Sequence, residues 1–248
     1  MAQPDNRYAQ PAMTARTGVA VDEGLRTYML GVYNYMAAGV ALTGIVAYLT
    51  SVLAGSSLET LTPFGQTLYG SPLRWVVMLA PLGFVLFLSV RIQQMSVGAA
   101  QTSFWLFAAV MGISLSSIFL VFTNQSITQV FFVTAATFGA LSLWGYTTKR
   151  DISGWGSFLF MGVVGIVIAA LVNLFLQSSG LQFAISVIGV LVFAGLTAYD
   201  TQRIKDGYLM VQGNAAMVAK SAIMGALALY LDFINMFIML LNLFGNRE

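Results

Sequence analysis

The chain contains no cysteine and no histidine. The absence of cysteine excludes disulfides and thiol chemistry, and the absence of both residues removes the usual ligands of zinc and haem. Any metal ion must therefore be held by oxygen atoms, a ligand set that favours hard cations such as Ca²⁺ or Mg²⁺. We expect no tightly bound cofactor.

Charged residues are also scarce in this sequence. Only 8% of the 248 residues are charged and 58% are hydrophobic, whereas soluble domains carry roughly 25% charged residues. This excludes a soluble protein and indicates one that crosses a membrane several times. The few basic residues form no patch or stripe, which argues against nucleic acid as a partner.

The N-terminal residues 1–24 are polar and lack the apolar core of a secretory signal. We predict that they form a disordered cytoplasmic tail ahead of a transmembrane domain over residues 25–248.

Seven apolar segments follow, each near the 20 residues that a helix needs to cross the bilayer. They cover about 28–53, 74–91, 98–123, 128–147, 156–177, 181–201 and 221–244. The sequence thus predicts an all-α integral membrane protein, a bundle of seven transmembrane helices. The seventh segment carries Asp232, Asn235 and Asn242, so either a full crossing or a re-entrant segment fits. Its length of about 24 residues favours crossing.

The basic residues predict the orientation. Nine of the eleven fall in the N-terminal stretch or beside the connectors after the second, fourth and sixth segments. Because Lys and Arg accumulate on the cytoplasmic side, the N-terminus is predicted to be cytoplasmic.

Two aspartates lie in the apolar sixth and seventh segments, Asp200 after Leu196-Thr-Ala-Tyr199 and Asp232 after Leu229-Tyr-Leu231. A carboxylate at the centre of a membrane helix costs about 2.5–3.5 kcal/mol. Such residues usually mark a functional site, so Asp200 and Asp232 are the leading candidates. Tyr199 and Asn235 are the expected supporting polar side chains.

The seventh segment also has one small and polar face. Its members recur at spacings of three and four and are Ser221, Gly225, Ala228, Asp232, Asn235, Met239 and Asn242. We call this face the seam. Because lipid cannot satisfy polar groups, the seam should face protein or water. The alternative is a helix that is merely packed through small residues.

The depth of the two aspartates sets a condition on their contact. With a sixth helix that ends near residue 201, we expect Asp200 and Asp232 to meet only if much of 206–219 is loop. Gly207 and Gly213 in that stretch favour a loop.

Two carboxylates in contact inside an apolar bundle cannot both ionise cheaply, so they titrate as one unit. A proton and a divalent cation would compete for the same oxygens. Ca²⁺ prefers about 6–8 oxygen ligands, so Asp200 and Asp232 would hold it weakly and transiently, which suits conduction. Arg91 is a candidate latch, which here means a basic residue that binds the aspartate pair and compensates its negative charge. Arg203 and Lys205 are expected to extend to the lipid headgroups.

Two other classes stay open. Intramembrane aspartyl proteases also use two aspartates, but here bulky Leu231 and Phe233 flank Asp232, and neither their Gly-x-Gly-Asp nor their Pro-Ala-Leu motif is present. We therefore expect no enzymatic activity. A regulatory membrane protein that binds other proteins, with a purely structural aspartate pair, is the second alternative.

Several stretches together resemble the Bax inhibitor-1 family, also known as transmembrane BAX inhibitor motif proteins. They are Ala198-Tyr-Asp-Thr-Gln-Arg-Ile-Lys205, Ala226-Leu-Ala-Leu-Tyr-Leu-Asp-Phe-Ile-Asn-Met-Phe237, Gly145-Tyr-Thr-Thr-Lys-Arg-Asp-Ile-Ser-Gly154 and Leu241-Asn-Leu-Phe-Gly-Asn-Arg247. The likeness is greatest to bacterial inner-membrane members. It implies a bundle whose last helix is central, and a pH-sensitive Ca²⁺ leak governed by an aspartate pair that maps onto Asp200 and Asp232. It also implies a latch residue late in the second helix, for which Arg91 is the nearest match. The expected partners are the lipid bilayer, Ca²⁺ and protons.

Overall fold

The computed structural model describes residues 9–55 and 60–247, with side chains described from Asp22 onward. Within these residues, seven helices are long and apolar enough to cross a membrane, which confirms the predicted all-α membrane bundle. They are α1 (Ala9–Ala54), α2 (Leu73–Arg91), α3 (Val97–Leu115), α4 (Asn124–Thr147), α5 (Trp155–Leu176), α6 (Ser179–Val211) and α7 (Ala215–Phe244). The predicted tail, residues 1–24, lies mostly outside the residues with described side chains and stays a prediction.

Short polar side chains fix where several of these helices begin. The hydroxyls of Ser96, Thr123 and Ser178 accept hydrogen bonds from backbone N–H groups in the first turns of α3, α4 and α6. Asn214 does the same for α7, accepting from the N–H groups of Ala216 and Met217. The first N–H groups of a helix have no partner within the helix. These side chains supply one, and so they determine the residue at which each of the four helices begins.

The last helix is the most buried of the seven. In the most apolar stretch of α7, 67% of the residues are buried, against 11–39% in the other helices. It packs closely against α1, α3, α4 and α6. Its large side chains, such as Tyr230 and Phe233, form the core of the bundle with rings from α3 and α4. That α7 is surrounded by all six other helices stays a prediction.

The connection between α6 and α7 differs from the expectation. Helix α6 continues to Val211 and α7 begins at Ala215, so only 212–214 form the turn. The predicted loop over 206–219 was therefore wrong. The last turns of α6 pack against α1: the Tyr208 ring lies 5.1 Å from the ring of Tyr28. This contact stabilises the helical conformation beyond residue 206.

A sixth helix that ended near residue 201 would place Asp200 at the turn, but α6 continues ten residues further, to Val211. At 1.5 Å per residue, Asp200 lies about 17 Å and Asp232 about 26 Å from the turn along two antiparallel helices. The longer helix therefore brings the two carboxylates closer in depth than a loop would.

Helix α7 runs the full length of the bundle. Beyond its end, the backbone N–H of Thr123 donates to the Asn246 carbonyl at 3.0 Å, and the Asn246 N–H donates to Ser126 Oγ at 3.0 Å. Thr123 lies in the α3–α4 connector, at the opposite end of the bundle from the 212–214 turn. The unbroken helix thus agrees with a full crossing and not with a re-entrant segment.

One close helix contact lies near the aspartates. A Cβ placed on Gly145 of α4 would come within 3.0 Å of the backbone of Ala198 on α6. Only glycine allows this approach without a shift of one helix, so Gly145 sets the position of α6 two residues before Asp200.

Candidate functional site

The two aspartates lie on the adjacent antiparallel helices α6 and α7. Asp232 is only 4% exposed, and its Oδ2 atom has no hydrogen-bond partner among the described residues. The side chain of Asp200 is 14% exposed, and it lies close enough for its charge to act on Asp232. A buried polar atom without a partner is costly in any fold, so it points to a role other than packing.

The cation next to the pair is Arg203, which reasoning from the sequence assigned to the headgroups. Its Nη1 atom lies 3.8 Å from Oδ1 of Asp200, three residues earlier on α6. The Arg203 side chain is 72% exposed, and such pairs contribute at most about 1 kcal/mol. The spacing of three residues on a helix was the signal that could have predicted it.

Arg91, the candidate latch, lies elsewhere in this structure. It is exposed at the end of α2, and its Nη1 donates to Oε1 of Gln94 at 3.1 Å. Lys205 is also bound within the protein, since its Nζ donates to the carbonyl of Tyr146 at 3.0 Å. A latch formed by Arg91 stays a prediction that requires the end of α2 to rearrange.

A cavity of about 460 Å³ opens beside Asp200 at the turn end of the hairpin; we call it the hairpin cavity. Its wall combines residues of α1, α6 and α7 with Ser153: Tyr28, Ser153, Tyr199, Asp200, Gln202, Arg203, Ile204, Asp206, Gly207, Met210, Ser221, Met224, Gly225 and Ala228. The Tyr28 hydroxyl and Ser221 Oγ are hydrogen-bonded at 2.9 Å across it. Asp200 thus lines this cavity, and Asp232 lies one helical turn beyond Ala228 of its wall.

The two supporting residues have different surroundings. Tyr199 lines the hairpin cavity and packs against Gly156 of α5, where a Cβ would collide with its ring. Asn235 lies on the seam, but its Nδ2 donates to the Leu231 carbonyl at 2.9 Å, one turn earlier on α7. Such a bond is the usual way for a polar side chain to satisfy itself within a helix. The Asn235 amide nitrogen is therefore not directed at Asp232.

The seam continues to a second cavity at the other end of the bundle. This outer cavity has a volume of about 600 Å³ and includes Asn173, Gln182, Asn242 and Arg247 in its wall. Between the two cavities, Met239 lies against α6 at Gly189, where a Cβ would come within 3.0 Å of the methionine Cγ and Sδ atoms. Met239 thus lies on the seam between Asp232 and Asn242, which lines the outer cavity.

No group of three or more acidic side chains that could hold a metal ion occurs among the described residues. Asp200 and Asp232 can offer two carboxylates to a cation, well below the 6–8 oxygens that Ca²⁺ prefers. Water would have to supply the others, so any such site binds weakly.

The comparison with known proteins decides the family. The model for the inhibitor of apoptosis-promoting Bax1 matches residues 25–248. The chain belongs to the Bax inhibitor family. An uncharacterized protein of Rickettsia prowazekii is 44% identical over 97% of this chain and 98% of its own length. The inner membrane protein YbhL of Escherichia coli K12 is 48% identical over 91% of this chain and 94% of its own length. The family resemblance of the sequence is thus confirmed, as is its membrane character.

This Bax inhibitor family protein also contains buried polar side chains that the sequence analysis missed. Gln202 accepts from the N–H of Ile152 at 2.9 Å and donates to the carbonyl of Arg150 at 2.8 Å, which fastens the 148–154 connector to α6. Its position two residues after Asp200 in the sequence was the only signal, and it did not indicate these distant partners.

A second buried group lies on the other side of α6. The hydroxyls of Tyr33, Ser142 and Thr201 form a chain in which Ser142 Oγ is 2.7 Å from the Tyr33 hydroxyl and 2.8 Å from Thr201 Oγ1. It joins α1, α4 and α6 next to Asp200. Serine and threonine are common in membrane helices, so the sequence alone could not single these out.

Proposed function

We propose that this protein is a pH-sensitive Ca²⁺ leak of the bacterial inner membrane, with Asp200 and Asp232 as its proton sensor and transient cation site. The observation that carries the proposal is the buried Asp232 carboxyl, whose Oδ2 has no hydrogen-bond partner among the described residues and which lies beside a second carboxyl. An oxygen kept without a partner is available to a proton or to a passing cation.

The pH dependence comes from competition. Two neighbouring carboxylates in an apolar bundle repel each other when both are ionised, so either a proton or a cation must compensate them. Arg203 compensates Asp200 only weakly, because its side chain is mostly exposed. A rise in proton concentration therefore displaces Ca²⁺ from the pair, and flux changes with pH.

The route follows the seam of α7. Ca²⁺ enters the hairpin cavity, passes Asp200 and Asp232, and leaves through the outer cavity after Met239 moves away from Gly189. With the predicted orientation, the hairpin cavity faces the cytoplasm, as does the N-terminus. Two carboxylates bind Ca²⁺ weakly, which a conducting site requires because the ion must also leave.

The alternatives have less support. A purely structural pair is expected to be fully hydrogen-bonded, because an unpartnered buried oxygen only destabilises. A protease would need room for an extended peptide at Asp232, whereas its neighbour Phe233 is buried against the rings of Phe131 and Phe138. We therefore propose no enzymatic activity and no resident cofactor; lipid, Ca²⁺ and protons are the partners.

The test is Ca²⁺ flux in liposomes that contain only the purified protein, measured with an entrapped Ca²⁺ dye from about pH 5 to 8. Asp232→Asn keeps the size of the side chain and removes its proton equilibrium, so we expect the flux to lose most of its dependence on pH. Asp200→Asn should have the same direction of effect, because the two groups titrate as one unit.

Asp151→Asn is the matched control. Asp151 is exposed in the 148–154 connector, and the Ser153 N–H that donates to its Oδ1 at 2.9 Å lowers the pKa of this carboxyl. It stays ionised above about pH 5, so its removal should leave the flux-versus-pH curve unchanged. A curve for Asp232→Asn that matches wild type, or no flux from the wild-type protein at any pH, would contradict the proposal.

A further inference from the structure

A groove of about 460 Å³ separates α1 from α4 on the outer surface of the bundle; we call it the α1–α4 groove. Its wall is mostly apolar and includes Met29, Leu30, Met36, Phe138 and Leu143, with Arg26 and Tyr146 at one end. We propose that the α1–α4 groove binds one acyl chain of an anionic phospholipid, with the headgroup held at Arg26 and Lys205.

The groove is open toward the surrounding bilayer. Leu30 and Leu143 on its two rims are 52% and 63% exposed. A Cβ added to Gly139, which lies in the wall on α4, would meet no atom within 4 Å. No side chain fills the groove at Gly139, and the groove is open to the surface that faces lipid.

Its length matches one leaflet. Arg26 and Ala37, at the two ends of the groove, lie eleven positions apart on α1, which is about 16 Å at 1.5 Å per residue. Half of the hydrocarbon core is about 15 Å. A single acyl chain that starts at the headgroup level thus fills the groove.

The charged end favours an anionic headgroup. Arg26 is exposed and forms no ion pair with any described residue. Lys205 Nζ lies 5.8 Å from the centre of the Tyr146 ring, which also lines this end. Two cations at the end of one apolar groove favour an anionic headgroup over a zwitterionic one.

Aromatic residues place this end at the membrane surface. The rings of Trp144 and Trp155 lie 6.4 Å apart, and both side chains are partly exposed. Tryptophan is enriched where the headgroups meet the hydrocarbon, so the neighbouring residue Tyr146 lies at headgroup level.

The bottom of the groove leads to α6. Tyr33 and Ser142 belong to its wall, and their hydroxyls continue through hydrogen bonds to Thr201 Oγ1. A bound acyl chain therefore packs against residues that also fix the helix on which Asp200 lies. This inference does not depend on the proposed Ca²⁺ leak, because lipid binding can be measured without any flux.

The experiment uses the full-length protein in vesicles of equal parts phosphatidylglycerol and phosphatidylcholine. One of the two lipids carries a photoactivatable group on its acyl chain, and the labelled peptides are identified by mass spectrometry. We expect the phosphatidylglycerol probe to label residues 26–37 and 138–146 preferentially. Gly139→Leu should reduce this labelling several-fold by filling the groove, whereas Gly165→Leu, at an equally open position on α5, should not.

Arg26→Gln tests the headgroup separately and does not alter the groove itself. Labelling by phosphatidylglycerol should fall about fivefold, the effect of one basic residue near an anionic surface, while Arg74→Gln should leave it unchanged. Equal labelling by both lipids, or wild-type labelling in either Gly139→Leu or Arg26→Gln, would overturn the inference. Size-exclusion profiles show whether each variant is folded, and either variant alone can refute the site.

Discussion

Two neighbouring residues of α7 should respond to loss of a polar group in opposite directions. Asp232 has a buried oxygen without a partner among the described residues. Tyr230, two residues earlier and 0% exposed, has a hydroxyl that lies 2.7 Å from Thr43 Oγ1. We predict that Asp232→Leu stabilises the protein and that Tyr230→Phe destabilises it.

The magnitudes follow from the partners. An unsatisfied buried polar atom costs about 1–3 kcal/mol, so its replacement by leucine, an apolar side chain with the same branching at Cγ, should recover an amount of this order. Tyr230→Phe loses one hydrogen bond, worth about 0.5–1.5 kcal/mol. The loss should lie at the lower end, because Thr43 keeps its bond to the Ala108 carbonyl at 2.8 Å.

The assay is thermal unfolding of the detergent-solubilised protein, followed by the fluorescence of its four tryptophans. A gain of about 2 kcal/mol corresponds to a rise in Tm of about 4–8 °C, and Tyr230→Phe, with a loss of about 0.5 kcal/mol, should lower Tm by about 1–2 °C. If Asp232→Leu unfolds at a lower temperature than the wild-type protein, the Asp232 carboxyl has a stabilising partner. The view that it is retained for function would then be wrong.

Further predictions concern glycine and methionine at the helix contacts. Gly145→Ala should destabilise the bundle by about 1–3 kcal/mol, because its Cβ would reach the backbone of α6. Gly139→Ala on the same helix is the control: its Cβ meets no atom within 4 Å, and alanine favours a helix over glycine, so Tm should not fall and should rise by about 1–4 °C. Met239→Ala should raise the Ca²⁺ flux at every pH in the liposome assay by widening the passage beside Gly189, whereas an equal truncation on the lipid-facing side, Met161→Ala, should not. Unchanged flux in Met239→Ala would exclude this methionine as a barrier.

Much of the fold could be predicted from the sequence because apolar length is a strong signal. Seven stretches near 20 apolar residues gave seven helices. The end of α6 was the exception, since Gln202, Arg203 and Lys205 end the apolar run at residue 201. The helix continues because these side chains have partners in the folded protein: Gln202 bonds to the 148–154 connector and Lys205 to Tyr146. Such long-range partners do not appear in hydropathy.

The candidate site was predictable in its two main residues and not in its surroundings. Asp200 and Asp232 stand out because charges are rare in membrane helices. The seam was also visible, although its members Ala228, Asn235 and Met239 are only partly buried while the bulky side chains form the core. Which cation lies nearest depends on how far each helix extends, and so Arg203 was overlooked in favour of Arg91.

The burial of α7 has a consequence for biosynthesis. The helix with the largest buried share is also the last of the seven to leave the ribosome. Synthesis adds about 5–20 residues per second, so α1 waits about 10–40 s in the bilayer, from the completion of Ala54 to that of Phe244, before its partner arrives. During this time Thr43 and the rings of Phe104 and Phe107 lack the Tyr230 side chain that covers them. Assembly of the core must thus wait for α7, and a chain interrupted before α7 presents its unfilled interior to lipid and to membrane proteases.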